Sequence, residues 1–282
     1  MGNLRFPFRA REGAILSNDL IWALASDTQF PYHDKRALNL WFKVLRYLKP
    51  DVVDYLGDIS DQACFSRFTK GTPDDFLIKY QAELADGKLA LPLVQSEEQV
   101  ARDFYADTRE LLPDAELFVA LGNHDIRVFD FAAKHLQEEL DQFTPENLWG
   151  LDNVGADYIY YGDLPKHRYG DLYAHHGLSV SQHAGDSVRK DVESLGVSLI
   201  RGHSHRMGDF YKTYELRGET LRGFEIGHLA DIKSPGMMYT NVHNWQQGFA
   251  YAVIENGQHP HVHTVKISPD YSCYIGRRKL VA

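Results

Sequence analysis

Cysteine is nearly absent. The 282 residues contain only Cys64 and Cys273, and two thiols so far apart do not make a disulfide framework. Their scarcity fits a reducing cytoplasm, with both thiols structural. Long apolar runs are also missing. No stretch approaches the roughly 18 consecutive apolar residues of a membrane helix, and the apolar segment 14–25 is interrupted by Asn18 and Asp19. That segment lacks the layout of a cleavable signal peptide. Gly2 follows Met1, but Phe6 stands where a myristoylation signal needs Ser or Thr. A cytoplasmic protein without membrane association is expected. Positive charge is in deficit, with 30 Lys and Arg against 39 Asp and Glu and a formal net charge of −9. This disfavours a protein that coats nucleic acid. The short basic tail Arg277-Arg278-Lys279 keeps a nucleic-acid substrate open. Internal repeats and low-complexity segments are absent.

Hydrophobic residues make up 44% of the chain and charged ones 24%, enough for a core of useful size. Apolar strand-like runs alternate with helix-like stretches, the pattern of an α/β protein. Residues 20–26 read as a strand ending at Asp27. Residues 35–48 carry Leu38, Trp41, Phe42, Leu45 and Leu48 at helical spacing, and Pro50 stops that helix. Further strands span 51–56, 115–121, 171–174 and 197–200. Each of the five strands runs into a polar cluster rich in Asp, Asn and His. In α/β sheets, ligands bind in the crevice at the carboxyl ends of strands. Strand-like segments near 210–216, 221–226, 249–255 and 262–267 predict a second, more antiparallel sheet. The least regular stretch, 59–95, holds Gly71, Pro73, Gly87 and Pro92, and an inserted cap beside the site is expected there. The candidate residues spread over both halves, so 1–282 is read as one domain.

The 14 histidines license a search for metal-ligand clusters. In Asp27-Thr28-Gln29, a carboxylate and an amide oxygen can address one cation. Gly57-Asp58-Ile59-Ser60-Asp61 combines a tight turn with a carboxylate able to bridge two ions. Gly122-Asn123-His124-Asp125 adds a neutral oxygen ligand and an imidazole that can move a proton, although Asn123 could equally cap a helix. His176-Gly177 and Gly202-His203-Ser204-His205 supply further imidazoles. A His-x-His on an extended segment points both rings to one side. The later His261-Val262-His263 has no Asp or Asn cluster beside it and reads as a strand face. Taken together, the five clusters offer oxygen and nitrogen ligands around Asp58 for a pair of ions.

In order and content these motifs resemble the calcineurin-like metallophosphoesterases, whose pattern is Asp-x-His, Gly-Asp, Gly-Asn-His-Asp/Glu, His-Gly and Gly-His-x-His. The resemblance covers residues 27–205 and implies an α/β fold, a four-layer α/β/β/α sandwich of two packed mixed β-sheets flanked by helices. By position it assigns Asp27, Gln29, Asp58 and His205 to a first metal, and Asp58, Asn123, His176 and His203 to a second. His176 is preferred to His175 because the family's ligand directly precedes Gly. His124 would aid leaving-group departure, with Asp61 as its orienting partner. Gln29 departs from the pattern, since most members carry His there. This implies weaker binding at the first position and a tilt toward manganese, with iron, nickel, zinc or magnesium as alternatives. The implied activity is hydrolysis of phosphate esters by a hydroxide bridging two divalent ions, with catalytic roles for Asp58 and His124. Arg127, Arg206 and His33 are candidate substrate-binding residues, and Tyr32 a candidate pocket residue. Phosphomonoesters, including phosphoprotein, compete with phosphodiesters, nucleotide or nucleic acid, as substrate. The alternatives are a nuclease-type phosphodiesterase and a non-catalytic scaffold of the same fold. His228, His243 and Trp245 lie on later loops, with Trp245 read as a packing residue under the second sheet.

Overall fold

The computed structural model describes residues 19–66, 91–234, 237 and 244–282. Its strands are β1 (Leu20–Ala25), β2 (Val52–Tyr55), β3 (Glu116–Ala120), β4 (Ala156–Ile159), β5 (Lys166–Tyr169), β6 (Leu172–His175), β7 (Ser198–Arg201), β8 (Met207–Tyr214), β9 (Glu219–Ile226), β10 (Gly248–Glu255), β11 (His259–Lys266), β12 (Ser272–Ile275) and β13 (Arg278–Val281). The helices are α1 (Lys35–Leu48), α2 (Leu91–Leu111), α3 (Arg127–His135), α4 (Pro145–Trp149) and α5 (Asp186–Leu195).

One sheet has the order β11-β10-β1-β2-β3-β4 and the other β5-β6-β7-β9-β8. In the first, β1 to β4 run parallel while β10 and β11 join antiparallel. In the second, β6, β7 and β9 run parallel and the two edge strands antiparallel. This corrects the expected grouping of the late strands. β8 and β9 do extend the second sheet, but β10 and β11 return to pair with β1 in the first. The continuous apolar run of β10, Phe249 to Ile254, suits either sheet. Only the backbone pairing, Leu20 against Ile254 through Leu24 against Ala250, decides it.

The layers follow from the period of two along each strand. Ala23, Ala25, Val53, Tyr55, Leu117 and Val119 face an outer layer with Trp41 of α1 and Phe104 of α2. The alternate residues Trp22, Leu24, Val52, Phe118 and Ala120 meet Leu172, Ala174, Ile200 and Phe224 of the opposite sheet. On the far side, Leu199 and Leu221 pack on Val188 and Val192 of α5. The order is therefore helix, sheet, sheet, helix. One charged residue breaks the apolar pattern between the sheets. Asp54, fully buried, receives Arg168 of β5 through Nε at 2.9 Å and Nη2 at 3.0 Å. Nη2 also reaches Glu116 at 2.7 Å, and the guanidinium lies 4.8 Å from the centre of the Phe118 ring. A buried carboxylate needs such a two-pronged partner to offset its lost hydration.

The expected irregular stretch 59–95 lies in part outside the described residues, which omit 67–90; its last residues, 91–95, are the start of α2 rather than loop. Arg278 and Lys279 form no tail, because they belong to β13, which pairs with β12. Among the described residues no helix is long and apolar enough to cross a membrane.

Helix α1 shows how sequence fixes the loop that leaves β1. Its buried face, Ala37, Leu40, Trp41, Val44 and Leu45, repeats at three and four residues. It ends at Lys49, held left-handed at φ 48°, with Pro50 behind it. Asp34 caps its start, one carboxylate oxygen accepting from the Arg36 and Ala37 amides at 2.9 and 3.1 Å. The other oxygen accepts from Gln247 Nε2 at 2.9 Å and Tyr271 Oη at 2.5 Å. Burial pushes this carboxyl up, but the four donors outweigh it and hold it below its ordinary value. Asp34→Ala is therefore expected to lose the cap and strand two donors, destabilising the fold by about 2 kcal/mol in chemical denaturation. Because the folded-state value is depressed, the charge-dependent part of this difference is full above pH of about 4. It fades as the pH falls through the lower folded value. Equal midpoints for the two proteins at neutral pH would contradict this role.

Candidate metal centre

Loops at the carboxyl ends of β1, β2 and β3 in one sheet, and of β6 and β7 in the other, converge on one point. Asp27, Gln29, Asp58, His176 and His205 are all buried there, while Asn123 and His203 are partly exposed. One ligand atom each from Asp58, His176 and His203 lies within 4.8 Å of the others, and the same holds for Asp27, Asp58 and His205. Asp58 is common to both groups. His176 Nε2 sits 3.3 Å from Asp58 Oδ2, 3.2 Å from Asn123 Oδ1 and 3.1 Å from His203 Nδ1. His205 Nε2 is 3.0 Å from Asp27 Oδ1. Gln29 places Nε2 3.2 Å from Asp58 Oδ2 and leaves its buried Oε1 without a partner.

The backbone here is unusual. Asp27, Gln29, Asp58, His203 and His205 have φ of 53°, 57°, 50°, 70° and 57°. Non-glycine residues in this left-handed region cost on the order of 1–2 kcal/mol each. The His203-Ser204-His205 segment is thus a coiled loop and not the extended segment expected. Its two rings reach the cluster because each left-handed residue turns its side chain inward. Glycine supplies the remaining room. A Cβ at Gly122 would collide with the Asp58 carboxylate, and one at Gly57 with His176 Nδ1.

Hydrogen bonds around the cluster set its electronics. His176 Nδ1 lies 2.6 Å from the Leu56 carbonyl, which can only accept, so Nδ1 carries a proton and Nε2 faces the cluster. Asp27 Oδ2 accepts the His203 backbone N–H at 2.9 Å, and Ser26 Oγ stands 2.6 Å from the same oxygen. Asp58 Oδ1 accepts the His124 backbone N–H at 2.8 Å. Burial would raise the Asp58 carboxyl, yet His124, His176 and His203 hold it well below the usual range. Burial and the neighbouring His176 push His203 down to about 3. Acceptor oxygens and imidazole nitrogens that point at one another need positive charge between them. The orphaned Gln29 Oε1 and the mixed oxygen and nitrogen donors therefore fit two divalent cations sharing Asp58.

The geometry agrees with a wider likeness. Residues 23–207 match the model of the calcineurin-like phosphoesterases. The chain belongs to this family. It is 31% identical over 244 residues to the Gene 54 protein of Mycobacterium phage D29, which spans 83% of this chain and 88% of that protein. Identity to the Gene 54 protein of Mycobacterium phage L5 is 30% over 242 residues, with the same coverage of 83% and 88%. Among solved structures it is similar to Vps29 of Chaetomium thermophilum, at 12% identity and a TM-score of 0.46, covering 94% of this chain and 97% of that one.

The structure places the other sequence candidates as follows. His124 lies beside this family member's cluster, its Nε2 3.9 Å from Asp58 Oδ2 and its Nδ1 2.7 Å from Asp61 Oδ1. His175 turns away from the cluster, with Nδ1 accepting the Gly177 N–H at 2.9 Å. Arg127 donates to the Asp61 carbonyl at 2.7 Å and Arg206 to the Ser204 carbonyl at 3.1 Å. Neither His/Asp group includes His33, whose ring packs on Phe30 at 4.7 Å. Trp245, read as core, is instead partly exposed, its ring 4.7 Å from that of His205. His228 is buried behind it, and His243 lies outside the described residues. His261, exposed on β11, pairs with Glu255 of β10 at 3.1 Å.

Sequence reading missed the supports. Asp191 of α5 accepts from Arg201 Nη1 at 2.6 Å and from the Leu178 N–H at 3.0 Å, while Arg201 Nε donates to the Gly202 carbonyl at 3.1 Å. One buried ion pair thus ties together the two loops that carry His176 and His203. Glu225 holds Ser204 Oγ at 2.7 Å between His203 and His205. Neither acid sits in a motif, and each lies at an ordinary helix or strand position, so nothing in the sequence marked them. Tyr161 was also missed; its ring lies 5.9 Å from that of His176.

Reconstituted with manganese, the protein is expected to carry about two ions per chain, with fewer in Asp58→Ala and Gln29→Ala by elemental analysis. Gln29→His is expected to tighten the first position and favour zinc. Two retained ions in Asp58→Ala would refute the shared-ligand arrangement.

Proposed function

We propose that this protein is a binuclear metal-dependent hydrolase of phosphate esters. The observation that carries the reading is the pair of His and Asp groups joined at Asp58. Asp27, Gln29, Asp58 and His205 would hold one ion, and Asp58, Asn123, His176 and His203 the other. When bound, the two ions, manganese first, supply Lewis acidity toward phosphate oxygens and an activated water as nucleophile.

The protein's own groups do the rest. Asp58 fixes the separation of the two positions. Its Oδ1 also anchors the His124 backbone amide at 2.8 Å, which keeps His124 at the rim of the cluster. Asp61 Oδ1 accepts from His124 Nδ1 at 2.7 Å. That bond leaves Nε2 to face the ester and to protonate the departing oxygen. Burial works against charge on His124, but Asp58 and Asp61 prevail and raise its pKa above the ordinary value, as suits an acid. Arg127 and Arg206, each held by a backbone carbonyl next to the cluster, would meet charge that develops on the non-bridging oxygens. His33 would line the approach. Burial of Asp27, Asp58 and His176 strengthens the electrostatic interactions they make.

The test is a manganese-dependent assay with p-nitrophenyl phosphate and bis-p-nitrophenyl phosphate. Wild type is expected to hydrolyse at least one, Asp58→Asn neither, and His124→Ala to lose about 10²-fold or more in kcat on an ester with a poor leaving group. The preferred ester decides between phosphomonoesterase and phosphodiesterase. Equal turnover by wild type and Asp58→Asn would sink the mechanism. Tight metal binding with no turnover of any ester would favour the scaffold reading.

A further inference from the structure

Glu97 lies in α2, outside every motif, and is 3% exposed. Its Oε2 accepts the backbone N–H of Gln62 at 3.0 Å. Gln62 is fully buried and left-handed at φ 51°, a conformation that a side-chain-bearing residue keeps only where its surroundings hold it. The residue before it is Asp61. The Asp61 carboxylate stands 2.7 Å from His124 Nδ1, and its carbonyl accepts Arg127 Nη1 at 2.7 Å. A continuous chain of contacts therefore runs from α2 through the 61–62 turn to the ring of His124. Glu97 touches no member of the metal cluster.

We propose that Glu97 is a positioning residue for His124, fixing the 61–62 turn so that the Asp61 carboxylate sets the proton on Nδ1 and the aim of Nε2. This rests on reading His124 as the leaving-group acid. Among the described residues, the charged groups that act on Glu97 are Asp61, Arg127 and Glu98, besides the Gln62 amide. Burial and the Asp61 charge push its carboxyl up to about 8, against the pull of the Gln62 N–H and Arg127. Glutamine keeps the shape and an acceptor oxygen for the Gln62 N–H without the charge. Alanine removes the acceptor and leaves a buried amide N–H unpaired.

The experiment compares wild type, Glu97→Ala and Glu97→Gln on phenyl and p-nitrophenyl phosphodiesters with manganese. A p-nitrophenolate departs without a proton, whereas a phenolate benefits from one, so a misaimed acid steepens the dependence on leaving group. Glu97→Ala is expected to lose roughly 10-fold in kcat on the phenyl ester and less than about 2-fold on the p-nitrophenyl ester, at unchanged KM and metal content. Glu97→Gln is expected to match wild type on both. Equal losses on the two esters, no loss on either, or a glutamine variant as impaired as the alanine one would overturn the proposal. A second readout does not depend on turnover. In nitrogen-15 spectra of the magnesium-loaded protein, the Nδ1 proton of His124 should persist in wild type and Glu97→Gln and exchange away in Glu97→Ala. Its persistence in Glu97→Ala overturns the proposal even if wild type cleaves neither ester. Wild type inactive on these diesters and on the corresponding monoesters, with the expected spectra, instead refutes the hydrolase reading and leaves the positioning role standing.

Discussion

Atoms that repel one another are held face to face, and the rest of the fold answers to that constraint. Carboxylate oxygens of Asp27 and Asp58, the amide oxygen of Asn123 and ring nitrogens of His176, His203 and His205 converge in a volume a few ångströms across. Left to themselves they would separate or draw in protons. Five left-handed residues, two space-giving glycines and a set of backbone amide donors keep them in place. Strain of this kind survives only where surrounding contacts over-determine it. The Arg201–Asp191 pair and the Glu225–Ser204 bond are two such contacts.

Much of this was legible in the sequence because the chemistry demands particular residue types at strand ends. Asp27, Asp58, Asn123, His176 and His203 each follow a strand, and that recurrence needs no knowledge of which strands pair. Helix 35–48 was legible for a local reason, since its apolar face and its terminal Pro50 both act within a few residues. The four layers followed only from the family likeness. Periodicity can show that a strand has two faces, but not what lies against each.

What was illegible is non-local. β10 and β11 read like continuations of the second sheet, and only long-range backbone pairing carries them back beside β1. The left-handed turn at His203 was invisible because most histidines, like other side-chain-bearing residues, keep φ negative; the constraint comes from the packed loop around it. Asp191, Glu225 and Glu97 look like ordinary surface acids in sequence. Burial makes them consequential, and burial is a property of the assembled molecule.

The tie between Asp54 and Arg168 bears on the same cluster from a distance. Three converging loops ride on one sheet and two on the other, so the cluster straddles the plane where the sheets meet. A slide of one sheet over the other by a fraction of an ångström would open or close its jaws. Apolar side chains resist separation well but sliding poorly, because dispersion has little directional preference. A guanidinium gripping Asp54 with two hydrogen bonds and leaning on Glu116 does have direction. It acts as a dowel between two plates, giving the sheet interface a directional tie that apolar packing alone does not supply.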